Sequence, residues 1–225
     1  MPVPGDAGGG QVRLIGALLV PALRTLPWRA LGAAGAVGLL IVSMARLTEE
    51  ADEFLALNLL RAAALAFALG LGFLLDDPAR HTTAAVPTRR PVRHALRLAL
   101  VAPVTAMWWS AAVLLVPEDI RPPVGDVTLE AGAAFALALA ASAAAIRCTQ
   151  AAEPGQAVAG AMLTTAVLGL LLCPERWALF VGTEDPRWAA AHDRWGMVLA
   201  GAVLVWGVCG PEPLKRRVSL RPVRA

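Results

Sequence analysis

Six apolar stretches of about 15 to 22 residues, each with at most one charge, alternate with short polar segments along this chain. A helix rises 1.5 Å per residue, so about 20 apolar residues cross a hydrocarbon layer of roughly 30 Å. The pattern therefore predicts spans at Trp28 to Ala45, Phe54 to Leu75, Leu98 to Val116, Thr128 to Ile146, Ala157 to Cys173 and Gly196 to Gly210. No stretch alternates with the period of a membrane barrel, and only helices or closed barrels satisfy the backbone inside lipid. The expected fold class is all-α, a polytopic membrane protein with six transmembrane helices.

Composition agrees with this pattern. Hydrophobic residues make up 57% of the 225, and the 37 Asp, Glu, Lys and Arg side chains cluster between the runs instead of spreading over amphipathic faces. Arg24 and Arg29 precede the apolar run Ala30 to Met44, and Ser43-Met44-Ala45 resembles a small-residue cleavage site; we read the stretch as a retained span. Residues 1–10, rich in Gly and Pro, are expected to be disordered. In Gln11 to Trp28, apolar positions recur at helical spacing between Arg13 and Arg24, and Pro21 and Pro27 break any continuation into the first span. That suits an interfacial elbow helix, with its arginines on lipid phosphates and Trp28 in the headgroup layer.

Charge sets the expected orientation. With the N-terminus in the cytoplasm, the cytoplasmic segments hold 14 Lys and Arg residues and the outer ones five. Cytoplasmic loops retain positive charge, so an even number of spans with both termini inside a bacterial plasma membrane fits best. Glu49, Glu50, Asp52, Glu53, Glu118, Asp119, Asp126 and Glu130 all fall on the opposite side. A transmembrane domain over residues 11–210 thus contains the elbow at 11–28, a loop at 76–97 and an outer loop at 174–195, and a basic cytoplasmic tail occupies 211–225. That tail suits anionic membrane lipids.

The chemistry-bearing motifs of hydrolases are missing from the sequence. It has no HExxH, GxSxG, GxGD or GxxxxGK[ST] pattern, and His81, His94 and His192 all fall between the predicted spans. Cys148, Cys173 and Cys209 lack metal-ligand spacing and are read as packing residues, so no metal site and no catalytic residues are expected. Arg61 is the one basic residue deep in a span, with Asn58 three residues before it on the same face. Two readings stand for this pair: an ion anchored to Glu53, Glu50 or Glu130 at the outer edge, or a polar route for a substrate.

The connection from Asp76 to Arg97 is the most informative segment. It opens on Asp76-Asp77-Pro78, runs through a small-residue stretch and closes on Arg89, Arg90, Arg93 and Arg97. Retention of positive charge explains the arginines and leaves the acidic start and helix-like middle to docking of a partner. Leu75 to Arg90 resembles the pattern L-D-D-P-A-x-x-T-x-A-x-P-T-x-R-R of small actinobacterial permease subunits of ATP-binding-cassette exporters of the type-two family, with the Pro-Thr pair one position later here, at Pro87-Thr88.

This resemblance implies an ATPase-coupling loop carrying Asp76, Asp77, Pro78, Arg80, Thr83, Pro87, Arg89 and Arg90. It also implies re-entrant helices between spans five and six, with Trp177, Phe180 and Trp188; an aromatic belt at helix ends explains those residues equally well. The function so implied is ATP-driven export of an amphipathic small molecule, lipid or peptide. The chain itself would bind no cofactor, ATP and Mg²⁺ residing on cytoplasmic ATPase partners. A second permease subunit would complete the route, and nucleic acid is not an expected partner. A non-transporting membrane scaffold shares the same topology; an intramembrane enzyme would draw on Arg61, Asn58, Thr105, Ser110, Thr164 and Thr165.

Overall fold

A computed structural model describes residues 23–76, 90–149, 153–174 and 177–209, the side chains of 90–94 apart. These residues form six α-helices and no strand. They are α1 (Trp28–Leu47), α2 (Glu53–Leu71), α3 (Arg90–Leu115), α4 (Val124–Thr149), α5 (Gly155–Leu172) and α6 (Trp188–Cys209), with a 3₁₀ turn at Glu118–Ile120. The protein is thus an all-α membrane protein in which α1 to α5 are each long and apolar enough to cross a bilayer. In α6 the residues His192, Asp193 and Arg194 lie within the first two turns, which shortens its apolar part to the 15 residues from Trp195 to Cys209.

Several helices outrun their apolar cores. α3 starts eight residues before Leu98, at Arg90 with Pro91 second, a residue whose fixed φ and missing N–H suit a first turn. α6 starts at Trp188 instead of Gly196. Hydropathy reports only what hydrocarbon must cover, whereas backbone hydrogen bonding continues into the polar ends. α2 is shorter than predicted, because residues 72–75 unwind into turns.

Contacts between helix ends fix an up-and-down order. Arg46 at the end of α1 donates to the carbonyls of Leu115 (2.6 Å) and Leu114 (3.3 Å) at the end of α3. Arg147 near the end of α4 donates to Val208 O at the end of α6 (2.8 Å). Each arginine supplies cationic donors to carbonyls that have no helical partner. One end of the bundle, where α2, α4 and α6 begin, is acidic in sequence; the opposite end is basic.

α2 and α4 cross at the centre, α1 lies along α2, and α6 lies along α4. Close approach depends on small residues: a Cβ on Gly70 would stand 2.5 Å from Ala34 Cβ. Trp108 of α3 wedges against α1, donating Nε1–H to Gly35 O (3.0 Å) and stacking on Phe67 of α2 at 4.2 Å. Around it pack Leu57, Leu60, Phe67, Trp109 and Val113. α5 stands at the margin with only Gly155 and Val158 buried, and its Leu170, Leu171 and Leu172 are about 70% exposed. Lipid, or another membrane subunit, is the natural solvent for that face.

At the N-terminal side, Leu23 and Arg24 are helical, and the chain then bends through Thr25 to Pro27 into α1. Trp28 Nε1 donates to Leu23 O (2.7 Å) across the bend. The remainder of the expected elbow, Arg13 included, lies outside the described residues.

Candidate functional site

Two polar clusters sit at opposite ends of the bundle. At the acidic end, Arg61 lies eight residues into α2, about 12 Å along the axis, and Glu130 six residues into α4, about 9 Å. They form a two-pronged pair, Nε to Oε2 and Nη2 to Oε1, both 2.6 Å, with side chains 10% and 5% exposed. Burying two charges is costly, and paired fork geometry offsets much of that cost. The third arm of the guanidinium donates to Val181 O (3.0 Å) in the α5–α6 connection.

From α6, His192 brings Nε2 within 3.1 Å of Glu130 Oε1, close enough for an ion pair but off the line of a hydrogen bond, while Nδ1 lies 2.9 Å from Trp188 O. Trp188 donates Nε1–H to Asp126 of α4 (2.7 Å). Asp126 and Glu130, like Trp188 and His192, are four residues apart, so each pair shares one helix face. Arg61 also lies 5.7 Å from the Phe180 ring centre and 5.9 Å from that of Trp188.

Residues 178–187 run through bends and turns over this cluster, and Trp188 to Trp195, the rest of the expected outer loop, is helical as the first two turns of α6. Trp195 Nε1 and Arg194 Nη1 reach back to Leu179 O (3.1 Å) and Ala178 O (2.9 Å), which pins the connection to α6. Phe180 and Trp188 join the cluster, but Trp177 is 57% exposed, its ring 5.9 Å from the Arg194 guanidinium. Asn58 stays apart too, donating Nδ2–H to Phe54 O of its own helix (2.8 Å). Farther out on the connection, half-buried Asp185 is held down to about 2 by hydrogen bonds from the Arg187 side chain and backbone.

At the basic end the joint is built on backbone groups. Asp76, just past α2, accepts Gly155 N–H at the start of α5 through Oδ1 (2.9 Å). A carboxylate is favoured there by the helix dipole. Buried Arg97 of α3 donates to Leu74 O (3.2 Å) and Asp76 O (3.1 Å), and Ser142 of α4 donates to Gly72 O (2.8 Å). The carbonyls freed where α2 unwinds thus find donors on two other helices. Gly155 is required by close approach, since a Cβ would stand 2.4 Å from the Phe73 ring and 2.7 Å from Asp76 Oδ2. Burial pushes the Asp76 carboxyl up; the Gly155 N–H opposes this, Glu153 adds to it, and Arg97 opposes it least.

Of the other loop residues, Asp77, Pro78, Arg80, Thr83, Pro87 and Arg89 lie outside the described residues, and Arg90 opens α3. His192, Asp126, Gly155 and Ser142 carry weight that sequence reasoning missed. The i,i+4 spacing of Asp126 with Glu130 and of Trp188 with His192, at the depth of Arg61, is the signal that was available. Among the described residues no group of three His, Cys, Asp or Glu side chains could hold a metal ion. No protein-family model, curated protein or solved structure matches the chain.

Proposed function

We propose that the chain is the permease subunit of an ATP-driven exporter, with six spans, both termini in the cytoplasm of a bacterial cell, and ATP hydrolysed on separate cytoplasmic subunits. The observation that carries this reading is the joint at Asp76. The first residue of the 76–97 loop is bonded to the start of α5 and, through Arg97, to α3, while Ser142 ties α4 to the end of α2. A push on that loop by a closing ATPase would reach four helices at once. Such coupling needs an element with two arrangements; short side-chain bonds to helix termini permit re-docking, whereas the charged layer at the far end serves as the pivot. The unpartnered face of α5 would meet a second permease subunit, identical or homologous.

The test is to isolate the tagged chain from its native membrane and identify what accompanies it. An ATPase should accompany the wild type and be lost when Asp76, Asp77, Arg89 and Arg90 are all changed to Ala. Gly155→Val should keep the ATPase bound yet remove the stimulation of ATP turnover by transported compounds. Absence of any ATPase from the wild type would favour a non-transporting scaffold.

A further inference from the structure

α3 and α4 follow one another in sequence but do not pack along their length. Between them runs a cavity of about 440 Å³, open along one side and floored by Leu71 of α2. It extends from Leu98 to Ser110 on α3 and from Leu139 to Thr128 on α4. At 1.5 Å per residue that is about 17 Å, close to half of a roughly 30 Å hydrocarbon layer. Its walls are mostly apolar, with Thr105 midway and Ser110 and Thr128 at the acidic end, where Thr128 also accepts Trp109 Nε1–H (3.0 Å).

The shape decides the occupant. Out to the side-chain surfaces, and with its open side included, the gap is about 930 Å³, a cross-section of at most roughly 55 Å² over about 17 Å. A transmembrane helix of about 10 Å diameter needs on the order of 80 Å². An extended hydrocarbon chain, with neighbours about 4 Å away, needs roughly 20 Å². The geometry points to a binding site for one acyl chain of a bilayer phospholipid, from the leaflet on the side of the α3–α4 connection, its headgroup end at Ser110 and Thr128 and its methyl end at Leu98 and Leu139. This site is separate from the charged layer and from the Asp76 joint, and it does not depend on the export reading. Gly132 is the handle for testing it, because it lines the cavity and a Cβ there would meet nothing within 4 Å.

The full chain, purified in detergent after exchange out of phosphatidylcholine nanodiscs, is weighed intact by native mass spectrometry. Wild type should retain one phospholipid per chain. Gly132→Leu should lower that occupancy by about tenfold, and Gly160→Leu, at an equally open position on α5, should leave it unchanged. Equal retention by both variants, or no lipid on the wild type, overturns the site. Should Gly132→Leu fail to fold, phosphatidylcholine with a diazirine in one acyl chain decides on the wild type alone. Label concentrated in residues 98–110 and 128–139 upholds the site; label spread along the exposed faces of α1 and α5 rejects it.

Discussion

The two ends of this bundle are closed by different chemistry. At the acidic end, the Arg61–Glu130 ion pair joins α2 to α4 in a buried cluster with His192 of α6 beside it, beneath a connection that caps them. At the basic end, single side chains bond backbone groups exposed where helices start or stop. A buried charge stripped of its ionic partner costs more than one lost hydrogen bond to a backbone group. The acidic end should therefore resist rearrangement, and the basic end should yield.

The largest effect that follows is at Glu130. Replacing it with Ala leaves the Arg61 cation buried without its carboxylate and should cost about 3–5 kcal/mol, visible as a fall in melting temperature of the detergent-solubilised chain. Glu130→Gln keeps the shape and should cost less. A loss under about 1 kcal/mol for the Ala variant would erase the contrast between the two ends.

Next comes Asp76, where a neutral isostere and a truncation should part company. Asp76→Asn retains an acceptor for Gly155 N–H and should leave stability nearly intact, whereas Asp76→Ala should cost about 1 kcal/mol. Because burial raises this carboxyl above its ordinary value, the folded state holds the proton more firmly than the unfolded state. Its stabilising contribution is fully present below the unfolded value of 3.8 and is lost as pH rises through the raised folded value. Melting curves against pH should show this slope in the wild type and not in Asp76→Asn. Equal losses in both variants would mean that the joint depends on charge after all.

The smallest effect belongs to Asp185. Its carboxyl is depressed, so the turn it makes with Arg187 is fully held above 3.8 and lost only as pH falls through about 2. Carbon-detected titration of this side chain should find it ionised at pH 3, and Arg187→Ala should return it toward 3.8. No change on that substitution would remove the ionic account of the connection.

Much of the architecture was legible in the sequence. Apolar runs located six helices to within a few residues at most ends, and Pro27 marked the bend before α1. The runs misplaced the start of α3 and of α6, where the helix continues through polar residues that hydropathy alone reads as loop. The sequence offers Glu130 as one of several partners for Arg61; nothing local chooses it over Glu53 or Glu50.

By itself, then, the sequence determined that this chain lives in a bilayer as helices, because hydrocarbon tolerates no unpaired backbone and the required length can be counted along a single dimension. Which charges meet is another matter. Arg61 and Glu130 are 69 positions apart, as are Arg46 and Leu115, while Asp76 and Gly155 are separated by 79. Only the crossing of α2 with α4, and the lie of α6 and α5 against them, brings such groups within bonding distance. Helix packing depends on side-chain volumes on several elements at once, and no local pattern records it.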